Sequence, residues 1–220
     1  SRSKWFALLL FLFIGISNYG QTTLISPTGD GGFENGTTLA ANNWTAINSS
    51  TDSWTAGNTP GVSAGARSAF ISSTAGTTQT WTYSQISTIQ HLYYDVTIPA
   101  GESIATLTFK WKAQGEGTTT SDWDNMRVFW GTVADVGLPV ANTALPTGLR
   151  VSGAGAISGM YKLNSAAYNS ETITLSGTPG TTYRLVFSWK SDGADIVNPP
   201  AAIDEVSLVS RLPILPDAAP

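Results

Sequence analysis

The feature that most constrains the fold is a period of two in the placement of apolar side chains. In Ala105-Thr-Leu-Thr-Phe-Lys-Trp-Lys112, apolar and polar residues alternate strictly. Because successive side chains of a β-strand point to opposite faces, this alternation predicts a strand with one buried and one solvated face. No segment between residues 21 and 211 carries a convincing long helical period, so a helical core is not expected.

Two further segments repeat the pattern, and turn residues separate them from their neighbours. Leu92–Ile98 ends at Pro99-Ala-Gly101, and Tyr183–Trp189 follows Gly177-Thr-Pro-Gly180. Other short strands are predicted near 22–25, 43–47, 67–72, 78–86, 124–130, 157–163, 171–175 and 202–209. This pattern predicts an all-β domain over residues 21–211, folded as an antiparallel two-sheet jelly-roll sandwich. Functional side chains are expected in the long loops 48–66, 113–123, 131–156 and 191–201.

The first twenty residues have the pattern of a secretory signal peptide. Arg2 and Lys4 precede an apolar run over 5–16, and a polar stretch follows it. A bilayer core needs roughly 20 apolar residues as a helix, so the run is short for a span. We predict a signal-peptide helix over 1–20, cleavage before Gln21, and a secreted or bacterial cell-surface location without a membrane span in the mature chain. The alternative is a buried or anchoring helix.

Composition excludes several classes of function. The chain has no Cys and one His, so disulfides, thiolate zinc sites, Cys nucleophiles and two-His metal sites are absent. Eleven basic residues stand against 15 acidic ones, and loss of Arg2 and Lys4 with the signal peptide leaves 9 against 15, a net charge of −6. Without a basic excess, a nucleic-acid partner is not expected. The proline-rich segment 212–220 predicts a linker toward a further domain of the same polypeptide.

Several short motifs occur in a characteristic order along the chain. They are Gly31-Gly-Phe-Glu-Asn-Gly36, Asn43-Trp-Thr45, Trp54, Ala66-Arg-Ser-Ala-Phe-Ile71, Leu107-Thr-Phe-Lys-Trp111, Asp124-Asn-Met-Arg-Val128 and Ala202-Ile-Asp-Glu-Val-Ser-Leu208. Their order and spacing resemble those of the cleaved adhesin, or choice-of-anchor J, jelly-roll domains of Bacteroidetes surface proteins, which are in turn similar to MAM domains and jelly-roll carbohydrate-binding modules. The resemblance implies adhesion or glycan binding outside the cell.

The same resemblance implies a structural calcium ion. A jelly roll places its first and last strands side by side, and in the resembling carbohydrate-binding modules carboxylates at these places hold calcium. The corresponding residues are Glu34 and Asp204, with Asp30 as a third ligand. Calcium takes six to eight oxygen ligands, which suits such carboxylates. The alternative is that Asp204 is hydrogen-bonded to the backbone and Glu34 is solvated.

Tryptophans in loops are the candidate glycan ligands, because sugar faces stack on aromatic rings. Trp44, Trp111 and Trp189 fall on predicted core faces, whereas Trp54, Trp81, Trp123 and Trp130 lie in or next to loops. We predict ligand binding by Trp54, Trp81, Trp123 and Asp122, whose carboxylate could orient a sugar hydroxyl. The alternative is that these rings pin their loops to the sandwich. A second surface, Lys110 and Lys112 with Arg127, could bind an acidic polysaccharide.

Catalysis is not expected from the sequence. Asp122, Asp124, Glu116, Asp192 and Asp195 show no spacing that would pair two carboxylates, and no Gly-x-Ser-x-Gly elbow accompanies His91. The leading hypothesis is therefore a secreted or surface adhesion module that binds a glycan or another surface component, with structural calcium. The competing hypothesis is a spacer module of a larger surface protein or secreted enzyme, without a ligand of its own.

Overall fold

The computed structural model describes residues 20–49, 51–81, 86–195 and 197–213. The predicted signal-peptide helix and most of the predicted linker lie outside the described residues. Within them, the structure has eleven strands, one short α-helix and three single turns of 3-10 helix. The strands are β1 Gln21–Ile25, β2 Thr45–Ile47, β3 Ser53–Gly57, β4 Ser68–Ser72, β5 Thr88–Thr97, β6 Ile104–Ala113, β7 Asn125–Thr132, β8 Arg150–Val151, β9 Asn164–Ser176, β10 Thr182–Ser191 and β11 Ala202–Arg211. The helix is α1 Val133–Val136, and the 3-10 turns are Asp30–Gly32, Ala40–Asn42 and Thr147–Leu149.

The strands form two antiparallel sheets, which confirms the predicted jelly-roll sandwich. Sheet A has the order β3-β4-β11-β6-β9, and β1 also pairs with β11. Sheet B has the order β2-β5-β10-β7-β8. The first strand therefore lies beside the last, as predicted. β11 changes partner from β4 to β1 along its length, and its register with β6 shifts between Asp204 and Ser207.

The core lies between the sheets and is built by the alternation seen in the sequence. Ala105, Leu107, Phe109 and Trp111 of β6 are all buried, and the predicted core tryptophans Trp44 and Trp189 are buried with them. Aromatic rings meet edge to face across this core, as with the Phe109 and Phe187 ring centroids, which are 5.1 Å apart. Such pairs stabilise the folded state by about 0.5–1.5 kcal/mol beyond the contribution of their buried area.

The structure differs from the sequence prediction in three segments. The segment 48–66, which the sequence predicts as a loop, contains strand β3. The sequence does not predict this strand because its apolar residues Trp54 and Ala56 are too few to reveal the alternation. No strand forms in the described part of 78–86. The segment 157–163 makes only isolated bridges, Met126 with Tyr161 and Ile157 with Met160, and the long strand begins at Asn164 instead.

A segment that we call the strap, residues 133–149, crosses the outer face of sheet B. Val136 and Leu145 of the strap pack on Phe129 and Val186, and form a second, smaller apolar cluster there. The strap reaches the edge of β5, where Asn142 N donates to the Ile89 carbonyl at 2.9 Å. It therefore closes the middle of a sheet face that would otherwise be open.

Across the described ranges, no helix has both the length and the apolar content that crossing a bilayer requires.

Candidate functional site

The candidate site lies at the end of the sandwich where β5, β7 and β11 begin. Two long segments meet there, 114–124 between β6 and β7 and 192–201 between β10 and β11; we call them the end loops. Trp123 is 48% exposed, whereas the other tryptophans that the structure describes are buried. Its exposed ring is available for stacking, and ligand binding by Trp123 stays a prediction of the sequence.

Asp122, next to Trp123, joins two cations of sheet B. Its Oδ1 accepts a hydrogen bond from Arg127 Nη2 and lies 3.4 Å from Lys190 Nζ. Lys190 Nζ also donates to the carbonyl oxygen of Asp122 at 2.5 Å. Partial burial works to raise the pKa of Asp122, but Arg127, Asn125 and Lys190 together bring the pKa below its ordinary value. Asp122 is therefore ionised at neutral pH, and its carboxylate remains half exposed.

These three charged residues border a cavity of about 140 Å³ between the strap and sheet B. Its wall is apolar along Ile89, Phe129 and Leu145, and polar at Ser188 and Thr147. The arrangement combines apolar surface with a few convergent polar groups, which is the usual character of a small-molecule site. The cavity is large enough for a small substituent or part of one sugar ring.

Behind Trp123, carboxylates gather around one buried lysine. Asp124 is fully buried, and its Oδ1 accepts from Asp192 N at 3.1 Å, while Oδ2 has no hydrogen-bond partner among the described atoms. Burial above all, with help from the charges of Glu116 and Asp192, raises the pKa of Asp124 to about 7, although the hydrogen bond from Asp192 N acts to lower it. Burial also raises the pKa of Glu116, with help from the charges of Asp192 and Asp195.

Lys162 supplies the positive charge of this cluster and ties the end loop 114–124 together. Its Nζ donates to the carbonyl oxygen of Glu116 at 3.3 Å and to that of Ser121. Burial lowers the pKa of Lys162, and the carboxylates of Asp122, Asp124 and Glu116 oppose that change. The sequence did not reveal this cluster, because its members come from three separate segments.

Two of the four predicted glycan ligands lie in the core, so the structure corrects the prediction for them. Trp54 is on β3 with only 2% of its surface exposed, and its Nε1 donates to the Gln90 carbonyl at 3.3 Å. Trp81 is equally buried, at 2%. Neither ring offers a face to a sugar, because each fills space between the sheets. This is the alternative stated above, in which a tryptophan pins its loop.

The predicted calcium ligands Glu34 and Asp204 do converge, but on backbone N–H groups. Asp204 Oδ2 accepts from Ser63 N at 2.7 Å and Ala64 N at 3.2 Å, and Oδ1 accepts from Glu205 N at 2.7 Å. Glu34 Oε1 accepts from the N–H groups of residues 66 and 67, at 2.7 and 3.0 Å. Both carboxylates therefore hold the segment 63–67.

Burial raises the pKa of Asp204 to about 6, although its three backbone hydrogen bonds act to lower it. The third predicted ligand, Asp30, has other partners: its Oδ2 accepts from Asn43 Nδ2 at 2.8 Å and Tyr94 Oη at 2.7 Å, and its Oδ1 accepts from Asn35 Nδ2. A calcium ion needs oxygen ligands where Glu34 and Asp204 face N–H donors, so these residues in this arrangement do not fit the ion. In the ranges given above, no three His, Asp or Glu side chains form a group that could hold a metal.

The predicted cationic surface is divided between the two sheets. Lys110 and Lys112 lie on the outer face of sheet A, where Lys112 Nζ is 4.9 Å from the ring centroid of Tyr168. Arg127 lies on β7 of sheet B and belongs to the site at Asp122. The three cations therefore do not form one surface.

Comparison with known proteins finds similarity of structure only. No protein-family model matches the chain, so the resemblance to cleaved adhesin domains is not confirmed, and a search of curated proteins finds no match.

Similar solved structures include TmCBM61 in complex with beta-1,4-galactotriose, with a TM-score of 0.46, 13% identity and coverage of 83% of this chain and 97% of that one. Another is the CBM22-1 xylan-binding domain of Paenibacillus barcinonensis Xyn10C, with a TM-score of 0.47, 12% identity and coverage of 89% and 99%. A third is the Stig cyclase Fisc from Fischerella sp. TAU, with a TM-score of 0.44, 13% identity and coverage of 86% and 98%.

Proposed function

We propose that this chain is a glycan-binding module that holds a sugar at Trp123 and at the adjoining cavity. The observation that carries the proposal is the exposed ring of Trp123, next in sequence to Asp122, which itself borders a cavity with an apolar wall. A sugar offers C–H groups to an aromatic face and hydroxyl groups to charged side chains. The site offers both kinds of partner within one end of the sandwich.

The contact is shallow, since one ring and one small cavity contribute to it. An aromatic contact of this kind is worth roughly 0.5–1.5 kcal/mol beyond its area, so single-site affinity is expected to be weak. Adhesion would then depend on several copies or neighbouring domains, because linked sites bind more tightly together than alone. A surface-exposed, multidomain parent protein belongs to this proposal.

Export belongs to it as well and rests on the segment 1–20. Recovery of a secreted form that begins at Gln21 would support that part, and retention of residues 1–20 in the mature protein would contradict it. Structural calcium stays a prediction of the sequence. The N–H donors around Asp204 favour the alternative for that residue, whereas Glu34 also accepts from backbone N–H groups instead of being solvated.

The second candidate function is a spacer module without a ligand. The observation in its favour is that Trp54 and Trp81 are buried and that Asp122, Arg127 and Lys190 already pair with one another. On this account, Trp123 covers the end loop and the charges fix its shape.

A glycan array followed by titration calorimetry separates the two candidates. The wild-type chain should bind at least one neutral or acidic glycan, and Trp123→Ala should weaken that binding about tenfold, since the stacking energy is lost. Leu138→Ala is the matched control, because Leu138 is 67% exposed and does not line the cavity. Absence of binding to every glycan on the array would favour the spacer, whereas binding that Trp123→Ala leaves unchanged would contradict the site at Trp123.

A further inference from the structure

A row of three polar side chains crosses the outer face of sheet B, under the strap. His91 on β5 is the register partner of Ser188 on β10, and Ser188 is the partner of Arg127 on β7. His91 is fully buried, while Ser188 and Arg127 line the cavity of about 140 Å³. Ser188 thus lines the cavity of the proposed glycan site, but that proposal gives no role to its hydroxyl group or to His91.

The hydrogen bonds of His91 determine its tautomer. Its Nε2 lies 3.2 Å from the Val140 carbonyl oxygen and 3.1 Å from the Thr143 carbonyl oxygen, both in the strap. Carbonyl oxygens only accept, so Nε2 carries the hydrogen. Burial lowers the pKa of His91, which keeps the ring neutral and leaves a lone pair on Nδ1.

Ser188 therefore donates its hydroxyl hydrogen to His91. The distance from Ser188 Oγ to His91 Nδ1 is 2.8 Å, which is ordinary for a strong O–H···N bond. A serine hydroxyl bonded to a neutral imidazole, whose other nitrogen is held by backbone carbonyls, has the geometry of a nucleophile with its general base. The two carbonyls also stabilise the imidazolium that forms when the proton moves.

The cavity supplies the remaining requirements of acyl transfer. Ile89, Phe129 and Leu145 give an apolar wall beside Ser188. Arg127 Nε is buried and has no hydrogen-bond acceptor among the described atoms. A positioned N–H donor without a partner is suited to the negative oxygen of a tetrahedral intermediate, which such donors stabilise in acyl-transfer sites.

We propose that Ser188 and His91 form a nucleophile and base pair that hydrolyses esters of short carboxylic acids, such as the acetyl ester of an alcohol or sugar. The size of the cavity limits the acyl group to a few carbon atoms. This activity goes beyond glycan binding and is contrary to the sequence-based expectation of no catalysis. It shares Arg127 and the cavity with the proposed glycan site but does not depend on the proposed function, because the reacting groups Ser188 and His91 have no role in sugar binding there.

The steps balance with water as the co-reactant. Ser188 Oγ bonds to the carbonyl carbon, its proton passes to His91 Nδ1, and the carbonyl electron pair moves to the oxygen beside Arg127. The electron pair on that oxygen then re-forms the carbonyl double bond, and the bond to the alcohol oxygen breaks. The departing alcohol takes the proton from His91 Nδ1. Water then attacks the acyl-serine and gives a proton to Nδ1; the acid leaves and the proton returns to Oγ.

The first experiment uses a fluorophosphonate probe and p-nitrophenyl acetate on the full chain. The probe should attach to Ser188, as located by peptide mass spectrometry, and Ser188→Ala should lose both labelling and hydrolysis. His91→Gln should lower both rates at least about 10²-fold, the usual contribution of a general base. Ser170→Ala, at an exposed serine of β9 on the other sheet, is the control and should match the wild type.

Several outcomes would overturn the inference. Labelling of the wild type at another residue, no labelling, or full activity in His91→Gln each contradicts it. If His91→Gln does not fold, the labelled position in the wild type and the loss in Ser188→Ala still decide. If the protein binds glycan but does not hydrolyse esters, the proposed function stands and this inference fails. If it hydrolyses esters but binds no glycan, this inference stands and the proposed function fails.

Discussion

Replacing Asp124 by Asn should remove a pH dependence of stability that burial creates. The wild-type carboxylate is fully buried, with one oxygen bonded to Asp192 N and the other without a described partner. Its pKa rises from an ordinary 3.8 to about 7 in the folded protein. At about 1.4 kcal/mol per pH unit, ionising Asp124 in the fold costs up to about 4 kcal/mol more than in the unfolded chain.

The sign follows from proton binding. Between about pH 4 and pH 7 the unfolded chain has released this proton and the folded protein retains it, so the free energy of unfolding falls as pH rises. The contribution is complete below the unfolded pKa and is lost as pH passes the folded pKa. About 3 kcal/mol of the change should fall between pH 5 and pH 8.

Urea unfolding of the wild type and Asp124→Asn at several pH values from 5 to 8 measures the effect. Asn retains an acceptor for Asp192 N but cannot ionise, so the variant should gain stability over the wild type as pH rises. The raised pKa of Glu116 has the same sign and is present in both proteins. Asp135→Asn, at an exposed position, should follow the wild type. Parallel curves for wild type and Asp124→Asn would refute the burial argument.

Two further predictions concern the segments around β11. Gly31→Ala should destabilise the protein by at least about 2 kcal/mol in urea unfolding, because a Cβ there would lie 1.7 Å from the Val206 carbonyl oxygen. Gly148→Ala is the control, since a Cβ at residue 148 meets nothing within 4 Å. Equal destabilisation by the two substitutions would contradict the steric reason. Removing divalent ions with EDTA should leave the melting temperature unchanged, since N–H donors satisfy Glu34 and Asp204; a drop that added calcium reverses would instead support the ion.

The strands and their buried faces were largely predictable from the sequence. In β6, the residues predicted to face the core are buried, because alternation is a local property that each strand carries in itself. Trp54 shows the limit of that reasoning. Its strand β3 is only five residues long and its neighbours are polar, so the sequence placed it in a loop. Its burial depends on pairing with β4, which no local pattern specifies.

The candidate site was predictable only in part. The sequence pointed to Trp123 and Asp122, since both lie in a long polar loop between two clear strands. It did not reveal that Asp122 pairs with Lys190, which is 68 residues away in the chain. It also interpreted Arg127 as a neighbour of Lys110, although the two residues lie in different sheets.

The sequence by itself determined the all-β class, the core face of most strands and the absence of cysteine and two-histidine chemistry. These follow from residue types and from a repeat of two, both of which are independent of how strands are ordered. Only the tertiary structure decided which carboxylates accept backbone N–H groups and which meet around Lys162. It also brought Ser188 to His91, 97 residues earlier, because partners on neighbouring strands are set by sheet order and register.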